Sequence, residues 1–190
     1  CGMAIAAAVQ VAERASPDDL IVVLLPDSGR GYLSRVFNDQ WLASYGFLRT
    51  CEVCVQSVLS ARGSRTPDLL YVNPDRPVRE AIALMRTHGV SQLPVCKNSP
   101  PFAAAEVMGS IDELAIMELA FHRPEILNQT VESVMGPKLP TVGIGEGLDV
   151  VVSKLDRAGA VLVLSGGRPL CVLSRTDVLA FLSQPAASHG

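Results

Sequence analysis

The sequence predicts an α/β chain in which two copies of one β-α-β-β-α unit follow a shorter apolar segment. Residues 69–120 and 131–182 can be laid over one another element by element. Each copy holds an apolar stripe at helical spacing, a closing glycine and then a strand-forming run. Ahead of both, Leu20 to Leu25 is six apolar residues without alternation, the pattern of a strand covered on both faces of a parallel sheet.

From the amino terminus, residues 3 to 14 carry Ala, Ile and Val all round with few charges, which predicts a helix buried on most sides. Ser16-Pro17-Asp18-Asp19 turns the chain into the apolar run. Pro26, Asp27 and Ser28 with Gly29 and Gly31 then form a sharp turn at the strand's carboxyl end, the edge where open α/β sheets bind ligands. An ordinary glycine-rich connection has the same composition. One helix and one strand bury little area alone, so residues 1–48 read as part of a larger sheet domain. Residues 49–68, polar in ARGSRTPD, read as a linker, and 183–190 as a frayed tail.

In the first copy Pro77 opens a helix, Val78, Ala81, Ile82 and Met85 share a face, Gly89 supplies a left-handed cap, and Leu93-Pro94-Val95 begins the next strand. In the second, Leu148, Val151, Val152 and Leu155 make the stripe and Gly159 the cap. Val161 to Leu164 is the strand and Gly166-Gly167 a hairpin turn. Ser174 with Asp177 three residues on spells a capping box at the last helix.

Composition narrows the function classes. Of 190 residues 48% are hydrophobic and 18% charged, and the net charge of −3 gives no electrostatic reason to expect nucleic acid or an anionic membrane as partner. No apolar run reaches the ~20 residues of a spanning helix, and the opening CGMAIAAAVQVA lacks a basic leader, so a cytoplasmic location is expected. Five cysteines, an odd number, suit reduced thiols better than a disulfide framework. Cys51-Glu52-Val53-Cys54 has half of a zinc-site spacing with no second half, so no metal is expected. No histidine stands where it would complete a catalytic dyad.

LPDSGRGYLSRVFNDQWL followed by YGFL, within residues 1–48, resembles the end of the catalytic domain of cystathionine β-synthase, a fold-type-II pyridoxal-phosphate enzyme, actinobacterial-type members in particular. The resemblance implies a parent enzyme that condenses serine or activated serine with homocysteine. It also implies that the cofactor's lysine, asparagine and phosphate loop lie upstream, so this chain alone should hold no pyridoxal phosphate and no catalytic residue. Pro26, Asp27 and Ser28 would be an active-site-edge remnant.

The repeat resembles the tandem CBS-domain (Bateman) module, named after the same enzyme, over residues 69–182. Such modules pair two repeats about a pseudo-twofold axis, commonly dimerise, and bind adenosyl ligands such as S-adenosylmethionine, AMP or ATP. The family's ribose signature, Ser or Thr and then Asp three residues on, falls on Ser174 and Asp177; Val142 and Val161 would flank the adenine. A carboxylate can accept both vicinal hydroxyls. The first copy has Asp112 and Ala115 in that register, so it should lack the ribose carboxylate, although Asp112 can cap its helix. Cys171, where glycine is usual, would crowd the cleft. Three functions remain open: the regulatory region of a cystathionine β-synthase-like enzyme, attached to its catalytic domain; a free-standing adenine-nucleotide-binding CBS-pair protein; or a cysteine synthase fused to the same module, against which the NDQW segment argues.

Overall fold

The computed structural model describes residues 2–25, 34–48, 53–62, 69–99, 101 and 103–183. Contacts divide the chain into two units, Cys1–Trp41 and Leu42–Gly190. Pro26, Asp27 and Ser28 lie outside the described residues.

The first unit departs from its sequence pattern. Helix α1, Gly2–Ala12, forms where alanine and unbranched residues favour it, yet buries no residue. Leu20 to Leu25 is not a strand: Leu20, Val22 and Leu24 are 82–90% exposed, and Ile21, Val23 and Leu25 37–48%. A two-face-covered strand needs neighbours on both sides and layers above and below. The described residues of this unit supply none of these, so the apolar run remains uncovered. Helix α2, Asp39–Ser44, opens where Asn38 Oδ1 accepts the backbone N–H of Trp41 at 3.0 Å, and crosses into the second unit.

In the second unit, helix α3, Val55–Ala61, lies inside the stretch expected to be a linker. Val55, Val58 and Leu59, at helical spacing, are buried with the core of the second repeat. Residues 42–48 also belong here: the Gly167 N–H donates to the Tyr45 carbonyl at 2.9 Å, and Ala43 is buried.

The first repeat runs through helix α4, Val78–His88, the antiparallel strands β1, Gln92–Cys96, and β2, Val107–Asp112, and helix α5, Glu113–His122. Gly89 closes α4 with φ 63°, as its position predicts. The expected first strand is a single parallel bridge from Val72 to Val95, which tolerates Pro94 because Pro94 contributes only its carbonyl, to the Val72 N–H at 3.1 Å.

The second repeat is fuller. Strand β3, Thr141–Gly143, pairs in parallel with β4, Ala160–Ser165, which forms a hairpin with β5, Arg168–Ser174. Gly166 and Gly167, at φ 54° and 77°, supply the two positive angles the hairpin turn needs. Helix α6, Leu148–Arg157, buries Val151 and Leu155 but leaves Val152 half exposed, so its stripe is narrower than expected. Helix α7, Arg175–Leu182, ends the described chain. Gly159 is not a left-handed cap, because α6 closes at Ala158 with φ −134°. Its missing side chain serves a close approach instead: a Cβ there would stand 2.5 Å from Gln92 Nε2.

Three apolar clusters hold this unit together. One joins α4 and α5 to the first repeat's strands, and one joins α3, α6 and α7 to β3, β4 and β5. The third, with Cys96, Val107, Leu162 and Leu164, lies where strands of the two repeats face each other. Because side chains alternate along a strand, Val161 and Val163 face the helices while Ala160, Leu162 and Leu164 face the other repeat. No helix among the described residues is long and apolar enough to cross a membrane.

Candidate functional site: a cleft between the repeats

A cleft of about 580 Å³ opens where the end of α4 and the start of β1 meet the β5–α7 junction. The first repeat contributes Gly89 to Gln92, and the second Gly159, Ala160, Val172 and Ser174 to Asp177. Arg62, at the end of α3, closes one side.

Ser174 ends β5 in an extended conformation and begins α7, so Asp177 falls one turn on and points back. Asp177 Oδ2 accepts both the backbone N–H and the hydroxyl of Ser174, each at 2.7 Å. Its Oδ1 is ion-paired with Arg62 Nη2. The Asp177 side chain is 17% exposed and that of Arg62 30%, so the pair borders the cleft without leaving solvent. Arg175 is committed elsewhere: its Nε donates to the Leu155 carbonyl at 2.9 Å, tying α7 to the end of α6.

Ser174 and Asp177 are thus capping residues and cleft residues at once. A carboxylate on a cleft wall can accept hydroxyl hydrogen bonds, and the apolar surface of Ala160, Val172 and Val90 beside it suits a flat ring. Val142 and Val161 are elsewhere. Both are fully buried in the core beneath α3, α6 and α7, and neither lines the cleft. The neighbouring Ala160 faces it, because consecutive strand residues point to opposite faces.

Cys171 stands at the back of the cleft, 2% exposed. Burial pushes its thiol up to about 11, with Arg62 opposing and Asp177 adding to the rise. It is therefore a neutral wall at physiological pH and not a nucleophile. Cys54 is fully buried at the start of α3, where its N–H donates to Ser57 Oγ at 3.3 Å; Cys51 lies outside the described residues. Among the described residues no group of three or more His, Cys, Asp or Glu could hold a metal ion.

The first repeat fills the equivalent place. Asp112 caps α5, its Oδ1 accepting the Ala115 N–H at 3.0 Å and its Oδ2 the Gln92 amide at 2.6 Å. Gly109, three residues before that cap as Cys171 is before Ser174, lies against residues 135–136: a Cβ on it would stand 2.6 Å from the Gly136 carbonyl oxygen and 3.1 Å from Met135 Sδ. Ser110 and Gly136 exchange backbone hydrogen bonds at 3.3 and 2.8 Å.

Arg62 is the site residue that sequence reasoning misses. The only available signal was the Val55, Val58, Leu59 spacing, which marks a helix ending at Arg62 within the supposed linker. Glu146 is a second omission. Its buried Oε2 accepts the Gly143 N–H at 2.8 Å and its Oε1 meets Lys154 Nζ at 3.3 Å, fixing the β3–α6 turn behind the core.

Comparison with known proteins agrees with this architecture. Among curated proteins, cystathionine beta-synthase of Rattus norvegicus is 30% identical over 114 residues, 58% of this chain and 20% of that protein. The Mus musculus enzyme is 31% identical over 115 residues, again 58% and 20%. The chain thus spans about a fifth of the length of these relatives. Among solved structures, the CBS-domain containing protein ATU1752 from Agrobacterium tumefaciens superposes with a TM-score of 0.58 at 20% identity, over 71% of this chain and 98% of that one. The CBS domain of a bacterial CNNM/CorC family Mg2+ transporter gives 0.54 at 18% identity, over 69% and 87%. The family model described as the CBS domain matches residues 65–114 and 131–184, one match on each repeat and together more than half of the chain, and on that ground the chain belongs to the CBS-domain family.

Proposed function

We propose that residues 42–183 form a regulatory module that binds an adenosyl ligand in the cleft between the repeats. The carrying observation is Asp177, a carboxylate held by Ser174 on the wall of a cleft of about 580 Å³. In this reading the ribose hydroxyls donate to Asp177, Ser174 holds the carboxylate in place, and the adenine lies against Ala160, Val172 and Val90. S-adenosylmethionine, AMP and ATP are the candidate ligands. The CNNM/CorC structure described as a complex with ATP supports a nucleotide on this fold. The filled first-repeat position supports one ligand per chain.

The regulated activity is proposed to be that of a cystathionine β-synthase-like enzyme, with pyridoxal phosphate bound in a catalytic domain outside residues 42–183. Two features support it: the curated relatives carry that name, and residues 20–48 carry the LPDSGRGY and NDQW resemblance. A free-standing, dimeric CBS-pair protein is the second reading. It is favoured by the ATU1752 structure, 98% of which is matched by this chain. The gene's full reading frame separates the two, since the first needs a Schiff-base lysine and a phosphate-binding loop in the same polypeptide.

The test of ligand binding is calorimetric titration of AMP, ATP and S-adenosylmethionine into the wild type and Asp177→Asn. A hydrogen bond to a charged group contributes ~1.5–3 kcal/mol, so the substitution should weaken binding roughly tenfold to a hundredfold. Equal binding by both proteins would remove Asp177 from the site.

A further inference from the structure

We propose that Arg62 selects the ligand of this cleft by charge, favouring adenosyl compounds that carry phosphate over neutral or cationic ones. The inference rests on the adenosyl reading of the cleft and adds a residue to it.

The Asp177 carboxylate is engaged on both oxygens. Its Oδ2 already accepts two hydrogen bonds from Ser174, and its Oδ1 faces Arg62. A vicinal diol on this carboxylate needs Oδ1, so ribose must compete with the guanidinium. A guanidinium taken from a largely buried carboxylate loses attraction that water repays only in part, unless a new anion replaces it. Neutral adenosine offers no replacement. A phosphate joined to the same ribose offers one, and in the planar bidentate form that arginine matches best.

Placement supports the exchange. Val55, Val58 and Leu59 fix α3 in the core, so the root of Arg62 is held while its long side chain, 30% exposed, reaches Asp177 at the edge of the cleft. Arg62, Arg175, Asp177 and His88 are the ionisable Arg, Asp and His side chains on the cleft. Arg175 is spent on the α6 carbonyls, which leaves Arg62 as the guanidinium able to follow an anion. S-adenosylmethionine, with a sulfonium, an ammonium and a carboxylate, is net positive and puts its sulfonium on the ribose carbon that carries the phosphate in AMP, so the charge nearest Arg62 would be positive. The same contact makes Arg62 an internal occupant of the ribose position, so its removal should help a neutral nucleoside while harming a phosphorylated one.

The experiment titrates adenosine and AMP by calorimetry into the full chain as wild type, Arg62→Gln and Arg62→Lys. The wild type should prefer AMP by about tenfold or more, the size of a charge-assisted phosphate contact. In Arg62→Gln that preference should fall to about threefold or less, with adenosine binding unchanged or tighter. Arg62→Lys should keep part of the preference, because it keeps the charge. If Arg62→Gln does not fold, the wild type alone decides: salt should weaken AMP binding and leave adenosine binding unchanged or tighter. An undiminished AMP preference in Arg62→Gln, or equal salt response of the two ligands, would overturn the role of Arg62 and leave the cleft assignment standing. Failure of the wild type to bind adenosine or AMP would overturn this inference, and failure to bind ATP and S-adenosylmethionine as well would overturn the cleft assignment with it.

Discussion

Substitution of Gly143 by alanine tests whether residues 42–48 are built into the CBS module. A methyl group on Gly143 would overlap the carbonyl oxygen of Ala43 and stand 2.6 Å from Gly46 N and 2.8 Å from Ala43 C. All three are backbone atoms, so no rotamer relieves the overlap. Either residues 42–48 lift away, losing the Gly167 N–H to Tyr45 carbonyl bond of 2.9 Å and the burial of Ala43, or β3 shifts against β4. Overpacking costs ~1–3 kcal/mol and a lost hydrogen bond ~1 kcal/mol, which together make about 2–4 kcal/mol. For a chain of this size that corresponds to a fall in Tm of roughly 5–15 °C. Melting followed by circular dichroism measures it. Gly2→Ala is the control, because nothing lies within 4 Å of its added methyl. A Gly143→Ala protein that melts within a degree or two of wild type would refute the packing of residues 42–48 onto β3.

Three further outcomes follow from the fold. Leu114, Met117 and Phe121 on α5 and Leu179 and Leu182 on α7 are 59–83% exposed, and a homodimer formed through them should become monomeric in Met117→Glu/Phe121→Glu, as read by light scattering. A wild type already monomeric at tens of micromolar would contradict this. Removal of residues 1–37, which keeps α2 and its Asn38 cap, should raise solubility, and removal of residues 1–48 should lower Tm below that of the shorter truncation because it also strips buried Ala43 and the Gly167 N–H to Tyr45 carbonyl bond from the module; equal melting of the two truncations would argue against the packing of residues 42–48. Cys96 and Cys171 have thiols pushed up by burial to about 12 and about 11, so the folded state favours the neutral form. Their contribution is complete below the unfolded thiol value near ~8.5 and is lost as pH rises toward 11–12. Urea unfolding at pH 8, 9 and 10 should show falling stability, and Cys96→Ala/Cys171→Ala should flatten the fall; an identical slope in that variant would count against the buried-thiol assignment.

The sequence made some parts of this molecule legible and hid others for physical reasons. The repeat, the Gly89 cap and the Gly166-Gly167 hairpin were legible because each depends on local periodicity or on torsions that glycine adopts. Ser174 and Asp177 were legible because a helix start is a local event. The face of β4 was not: Ala160 to Leu164 is apolar on both sides because both faces are covered, so no alternation separates the cleft residue Ala160 from the core residue Val161. Arg62 was hidden for a different reason, since its pairing with Asp177 spans more than a hundred residues and only the packing of α3 brings them together. The run Leu20–Leu25 shows the reverse failure. Its pattern asks for a sheet, but pattern alone does not provide the neighbours that would bury it.

An adenosyl ligand held at the Ser174–Asp177 side of the cleft and absent from the β2–α5 junction of the first repeat can be located by NMR titration of the labelled wild type with AMP. Saturable shifts are expected at Val90, Ala160, Val172 and the amides of Ser174 to Asp177, at one AMP per chain, with Gly109 and Ser110 unmoved. Saturable shifts centred on Gly109 and Ser110, or no shifts at millimolar AMP, would contradict this placement.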